Sequence, residues 1–321
     1  MFAKIYFSRR QTGPATLTVT PPASSDMQVG VLGAGTMGHG IAQVTAMAGH
    51  DVTIRDIETE LVEDGIASIE GNLQGAVDRD IVGGDEKAAT LERISGTTDL
   101  PEAVSGADLV IEAVPETMAL KQETFADVEA AAPGDCVIAS NTSSLSVTEI
   151  ASALDDPERA IGLHFFNPVH IMDLVEIVVP EWTDEATVEF AESFVAEIGK
   201  EPVLVRDSAG FATSRLGVAL GVEATRMLEE GVAGPRAIDR AMELGYNHPM
   251  GPVELGDVVG LDVRLDILEY LREELGERFK PPQVLRRKVR AGKLGKKTGE
   301  GFYVWEDGEI VGVSDDWGAS P

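Results

Sequence analysis

Apolar and polar positions come in alternating blocks along this chain, and the block length changes once. Short apolar runs recur at 28–32, 52–54, 109–111, 137–139, 161–164, 174–178 and 203–205. Each is the length of a strand buried on both faces. Between them lie stretches with helical spacing, such as 117–130 and 184–198. This alternation predicts an α/β fold, a doubly wound, mostly parallel sheet with helices on both faces. Residues 61–82 read as a polar helical excursion from that sheet. After Asp207 no run reads as a strand, whereas 210–230, 235–244, 251–273 and 281–291 all read as helices. The expected organisation is therefore an α/β domain over 27–207 and an all-helical domain over 208–321. A cleft between two such unlike domains is a usual place for a substrate. Residues 1–26 fit neither domain. They are rich in Thr, Pro, Ser and Ala without periodicity, and Met27 stands just before the first strand. This segment reads as a disordered tail, or as upstream sequence translated from a start before the true one at Met27.

The first apolar run carries the strongest local signal. It feeds into Gly33-Ala34-Gly35-Thr36-Met37-Gly38, a G-x-G-x-x-G loop followed at once by a helical stretch. Gly33 can turn the chain out of the strand, Gly35 lets backbone N–H groups approach a pyrophosphate, and Gly38 lets the helix pack close to the strand. The phosphates then sit at the positive end of that helix. A second apolar run ends at Asp56, 23 residues after Gly33, where an acid that bonds the adenosine ribose is expected. A glycine-rich turn in another α/β fold is the competing explanation. Strand, loop, helix and acid together favour a Rossmann-type dinucleotide site. A carboxylate at 56 repels the 2′-phosphate of NADP, so NAD is the expected cofactor, although Arg55 stands beside it.

Charge narrows the partners. The chain carries 55 acids against 26 bases, a formal net charge of −29, and the acids are dispersed rather than gathered in a tail. Repulsion disfavours nucleic acid. Dispersed acidity with only nine Lys fits a cytoplasm of very high salt, such as that of a halophilic archaeon, where a short Debye length screens self-repulsion. An ordinary acidic enzyme is the blander alternative. No run of about 18 apolar residues suggests a membrane span. The single cysteine, Cys136, lies in an apolar run and fits a reducing compartment.

Two residues stand out for proton chemistry. His164 ends the apolar run 161–164, and open parallel sheets bind ligands beyond the carboxyl ends of their strands. It is either a proton carrier or a core histidine satisfied by backbone groups. Glu176, in Leu174-Val175-Glu176-Ile177-Val178, shares a strand face with Leu174 and Val178. A carboxylate there needs a donor or a cation, and His164 is a natural one. An arginine or water is the other possibility. A His–Glu pair fixes the imidazole tautomer and supports its charged form. Ser143, in Ser140-Asn141-Thr142-Ser143-Ser144, either bonds a carbonyl or nicotinamide or caps a helix over 147–153. A Ser-His-Glu hydrolase is disfavoured because no serine lies in a G-x-S-x-G elbow. Glu116 follows the run at 109–111, and Lys121 lies one helical turn on; they either frame a nicotinamide ribose or are a helix-start acid and a solvated lysine. Seven of the 26 bases lie between Arg286 and Lys297, which suits a polyanionic substrate, a subunit contact or a solvated face.

The motifs GAGTMGHGIAQ, IEAVPE, SNTSSLSVTEIA, GLHFFNPVHIMDLVEIV, GYNHPMGPVELGDVVGLD and GKKTGEGFY together resemble the L-3-hydroxyacyl-CoA dehydrogenases, including the 3-hydroxybutyryl-CoA dehydrogenases. The resemblance runs from Met27 to about Trp305. It implies NAD-dependent interconversion of an L-3-hydroxyacyl-CoA and a 3-ketoacyl-CoA, in a cytoplasmic enzyme of fatty-acid oxidation or short-chain acyl-CoA metabolism. By this resemblance His164 is the general base and Glu176 its support. Gly33, Ala34, Gly35, Thr36, Met37, Gly38, Asp56, Glu116, Lys121 and Lys297 contact NAD, while Ser143 and Asn167 line the site beside the substrate oxygen and the nicotinamide. The helical domain makes a homodimer. Two departures from the family pattern involve three positions. Ser214 stands where an Asn is frequent, and Asn72 and Arg79 stand where some members bring a Ser and a Lys to CoA. The alternatives are a related dehydrogenase of a free hydroxy acid or sugar acid, or a non-catalytic NAD-binding protein on the same scaffold. The intact His164 and Glu176 argue against the second. No metal is expected.

Overall fold

Strand β1 (Gln28–Leu32) is apolar on both faces and buried from Val29 onward, so it lies in the middle of a sheet rather than at its edge. The computed structural model describes residues 26–314, so the N-terminal segment discussed above lies, but for Asp26, outside the described residues. The chain leaves β1 through the glycine loop into α1 (Thr36–Met47) and returns as β2 (Asp51–Arg55). Two helices, α2 (Thr59–Val77) and α3 (Gly84–Glu92), then lead to the edge strand β3 (Ile94–Thr97). After α4 (Leu100–Val104) the chain crosses back beside β1 as β4 (Leu109–Glu112) and continues outward: α5 (Met118–Ala131), β5 (Val137–Ser140), α6 (Val147–Ala151) and β6 (Ala160–Phe165). The last two strands are β7 (Leu174–Val179) and β8 (Glu201–Arg206), joined by α7 (Glu185–Glu197).

The sheet has eight strands in the order β3-β2-β1-β4-β5-β6-β7-β8. All neighbours are parallel except β6 and β7. The order reverses direction between β1 and β4, and a reversal of this kind opens a crevice beyond the strands' carboxyl ends. The glycine loop, the end of β4 and the end of β5 meet there.

Five helices form the second half: α8 (Thr213–Glu229), α9 (Pro235–Tyr246), α10 (Pro252–Val259), α11 (Leu261–Leu275) and α12 (Gln283–Arg290). They enclose a core of their own around Val218, Val222, Leu228, Leu268, Leu271 and Phe302. The single helix expected over 251–273 is two, because Gly260 has φ of +105° and breaks the helical path. The expected helical excursion at 61–82 is α2, which ends at Val77, and α3 follows beyond it. The helical domain also carries strands that the reading of the sequence omitted, a hairpin of β9 (Tyr303–Glu306) and β10 (Glu309–Val313). Its turn is Asp307-Gly308, with φ of +49° and +85°. Asp-Gly with both residues left-handed is the tight turn that matches strand twist.

Candidate active site

Because β7 runs antiparallel to β6, the register sets Glu176 directly opposite His164. Side chains opposite one another in such a pair project from the same face. His164 Nδ1 lies 2.8 Å from Glu176 Oε2, and both residues are buried. A carboxylate only accepts, so the ring donates from Nδ1, and Nε2 is left as an acceptor without a partner among the described residues. Phe166 and Phe211 pack against the ring, with centroids 4.4 and 5.7 Å away, and hold its plane.

Glu176 has three further donors. Its Oε1 accepts from the backbone N–H groups of Ala212 and Thr213 at 3.1 and 2.9 Å, and its Oε2 from the Thr213 hydroxyl at 2.6 Å. Helix α8 has no side-chain cap of its own, so this carboxylate from the sheet closes its first turn. A sharp turn sets the helix there, with Gly210 at φ +73° and Phe211 at +49°. The second is costly for a residue with a side chain and is held by burial of the ring. Burial raises the Glu176 pKa, but the bonds from His164 and Thr213 outweigh it, and the group stays ionised to below its ordinary range.

A second charge network, buried at Lys121 and Glu112 and open to the surface at Glu116, lies under the ends of β4 and β5. Lys121 reaches from α5 to Glu112 at 2.7 Å, to Glu116 at 3.2 Å and to the Val114 carbonyl at 3.2 Å. Glu112 also accepts from Ser140 at 2.7 Å and from the Val114 N–H at 2.8 Å. Glu116 gathers the 142–144 loop, accepting from the Thr142 hydroxyl at 2.6 Å and the Ser143 N–H at 3.0 Å. Burial pushes the Glu116 pKa up, yet Lys121 and these loop donors bring it below the ordinary value. Removing the cation strands Glu112, which is fully buried. Lys121→Met is therefore expected to lose about 3–5 kcal/mol in urea unfolding. A loss under about 1 kcal/mol, the range of an exposed pair, would contradict this account.

The glycine loop has the form a pyrophosphate needs. Gly33 takes φ of +102°. A Cβ on Gly38 would lie 1.6 Å from the Gly33 carbonyl oxygen, so only glycine permits this contact of loop and helix. A Cβ on Gly35 would meet nothing within 4 Å, so the side above the loop is open. Helix α1 starts at Gly35 without a side-chain cap, and its first N–H groups face that open side. Asp56 Oδ2 accepts from the Ala34 N–H at 2.7 Å, which ties the acid at the end of β2 to the loop.

Between sheet and helical domain lies a cavity of about 520 Å³. It brings together Met37, Glu116, Lys121, Ser143, His164, Asn167 and Ser214. A 3-hydroxyacyl-CoA dehydrogenase NAD-binding domain matches residues 28–208, and the C-terminal domain of the same enzymes matches 210–305. The chain belongs to the 3-hydroxyacyl-CoA dehydrogenase family. A 3-hydroxybutyryl-CoA dehydrogenase of Bradyrhizobium diazoefficiens is 43% identical over 285 residues, 88% of this chain and 97% of that protein. The mitochondrial hydroxyacyl-coenzyme A dehydrogenase of Sus scrofa is 40% identical over 285 residues, 87% of this chain and 91% of the other. The crystal structure of (S)-3-hydroxybutyryl-CoA dehydrogenase from Ralstonia eutropha superposes with a TM-score of 0.85 at 39% identity, covering 88% of this chain and all of that one.

Other expected residues of this dehydrogenase-family chain lie elsewhere. Asn72 and Arg79 line a separate cavity of about 460 Å³ with Gln43, His170 and Lys200. Lys297 is in the helical domain, paired with Asp262 at 2.7 Å. The helix over 147–151 is capped by the Ser146 hydroxyl, not by Ser143, which frees Ser143 to face the cavity. Three residues escaped the sequence reading of the site: Glu112, Thr213 and Arg264. For Glu112 a signal existed, an acid closing a fully apolar strand nine residues before a lysine.

Proposed function

We propose that this chain oxidises L-3-hydroxyacyl-CoA to 3-ketoacyl-CoA with NAD, and catalyses the reverse reduction, using His164 as base and acid. The observation that carries this reading is the His164–Glu176 pair, 2.8 Å apart at the wall of the cavity between the domains. NAD, when bound, supplies the hydride acceptor. Gly33 to Gly38 would hold its pyrophosphate, and Asp56 keeps free lone pairs for a ribose diol. In the oxidative direction Nε2 of His164 takes the hydroxyl proton as C3 gives up its hydride, and in the reductive direction it returns that proton. Glu176 keeps the ring in the accepting tautomer and offsets the imidazolium charge. Ser143 and Asn167 flank the same space and suit contacts to the substrate oxygen and the nicotinamide amide.

Exposed apolar side chains on the helical half, among them Leu216, Leu244, Tyr246 and Val258, support a homodimer through that domain. The net charge of −29 supports a high-salt cytoplasm. No helix among the described residues is long and apolar enough to cross a membrane. Purified protein is expected to oxidise NADH with acetoacetyl-CoA in molar KCl, followed by loss of NADH absorbance, and to lose activity as the salt is diluted. Absence of turnover at every salt concentration would overturn the assignment, and full activity without salt would overturn the high-salt part alone.

A further inference from the structure

Arg264 lies near the start of α11, on the wall that the helical domain presents to the catalytic cavity. Its neighbours along that wall are apolar: Val218, Leu255, Val259, Val263 and Ile267. Its Nε is buried with no hydrogen-bond partner, and among the described residues no acid pairs with the guanidinium. The acid two residues before it, Asp262, is held by Lys297 at 2.7 Å. Burial alone acts on its ionisation, with no carboxylate to counter it. Position adds to the cost, because a cation near a helix N-terminus faces the positive end of the helix dipole. The chain has 55 acids against 26 bases, so an arginine left without one is conspicuous. A guanidinium stays charged and presents a planar fork that matches two oxygens of one anion. Low-dielectric surroundings strengthen that bond once it forms.

We propose that Arg264 is an anion subsite of the acyl-CoA cleft, completed by a carboxylate or phosphate that the substrate itself carries. The inference rests on the acyl-CoA reading above. Two sources share this chemistry: a carboxylate at the far end of the acyl chain, and the phosphates of CoA. The apolar residues around Arg264 suit an acyl chain that ends in a charged group.

The experiment compares kcat/KM for NADH-dependent reduction across two matched pairs. The first pair is 3-oxoadipyl-CoA and 3-oxohexanoyl-CoA, which differ in the terminal carboxylate. The second is acetoacetyl-CoA and acetoacetyl-pantetheine, which differ in the phosphates and the adenosine that carries them. In each pair the quantity read is the preference for the anion-bearing member. Arg264→Leu is expected to reduce that preference about tenfold or more in one pair, the factor of a lost charge-assisted bond. Collapse in the first pair identifies the carboxylate, and collapse in the second the phosphate. Arg264→Lys, which keeps a cation but not the fork, is expected to retain part of the preference. The melting midpoint of Arg264→Leu is expected to be no lower than that of the parent, because the substitution removes a half-buried charge that no acid pairs. Arg264→Gln serves the kinetic comparison equally if the leucine variant fails to fold. Preferences unchanged in both pairs would overturn the subsite, with or without a fall in melting point. Failure of the acyl-CoA reading itself shows separately, as no turnover of any of the four compounds by the parent chain.

Discussion

His164→Ala is expected to fold as the parent does and to lose about 10²- to 10⁴-fold in kcat, the contribution of a positioned proton carrier. Folding survives because Glu176 keeps its other three donors, the two N–H groups of Ala212 and Thr213 and the Thr213 hydroxyl. NADH affinity is expected to change little, since the glycine loop and Asp56 lie on β1, α1 and β2, away from the substituted side chain. Fluorescence titration with NADH and steady-state turnover of acetoacetyl-CoA separate the two effects. A variant that keeps turnover within a few-fold of the parent would remove His164 from the reaction.

Glu176→Gln is the second large effect, of smaller size in kcat but reaching stability as well. The amide oxygen can still accept from the backbone of α8. The other end of the side chain now presents N–H groups to His164 Nδ1 and to the Thr213 hydroxyl, both of which donated to it before. The imidazole escapes the clash by moving its proton to Nε2, the atom that must accept from the substrate. A loss of about 10²-fold or more in kcat is expected, by analogy with the loss seen when the carboxylate of a catalytic triad becomes an amide. The capping charge of α8 goes too, at about 0.3–1 kcal/mol and up to about 2 in a buried setting. The pH dependence has a definite sign. The folded-state pKa of Glu176 lies below its ordinary value of 4.5, so its contribution to stability is complete above that value and is lost as pH falls through the lower one. Parent and glutamine variants should therefore converge in stability under acid. A parent-like rate in this variant would mean that the pair has no part in turnover.

Most of the sheet was legible because buried strands are largely continuous apolar runs, as in β1 and β4 to β7, while β2 shows itself by alternation, with Val52 and Ile54 buried between polar neighbours. The strand β3 was not legible, since Ile94-Ser95-Gly96-Thr97 is short, half polar and at an edge, where neither face must be apolar. The β9–β10 hairpin was legible in principle through its Asp-Gly turn, but it stands among helices and its strands are brief. His164 and Glu176 were legible as candidates because each is a polar residue in an apolar strand. Their meeting depended on one antiparallel pair in an otherwise parallel sheet, which the runs themselves do not encode. Thr213 is 37 residues from Glu176 and reaches it only because of the turn at Gly210 and Phe211. Arg264 was unreadable for a different reason: an arginine in a helix is ordinary, and only its surroundings in three dimensions show that nothing answers its charge.

One carboxylate therefore serves two masters. Glu176 steadies the imidazole from within the sheet, and it also anchors the first helix of the other domain. A hinge motion that drew α8 outward would take three of the four bonds with it and leave the carboxylate held by the imidazole alone. The negative charge that backs the imidazolium is thus underwritten in part by the neighbouring domain, and parting the two would make that carboxylate easier to protonate.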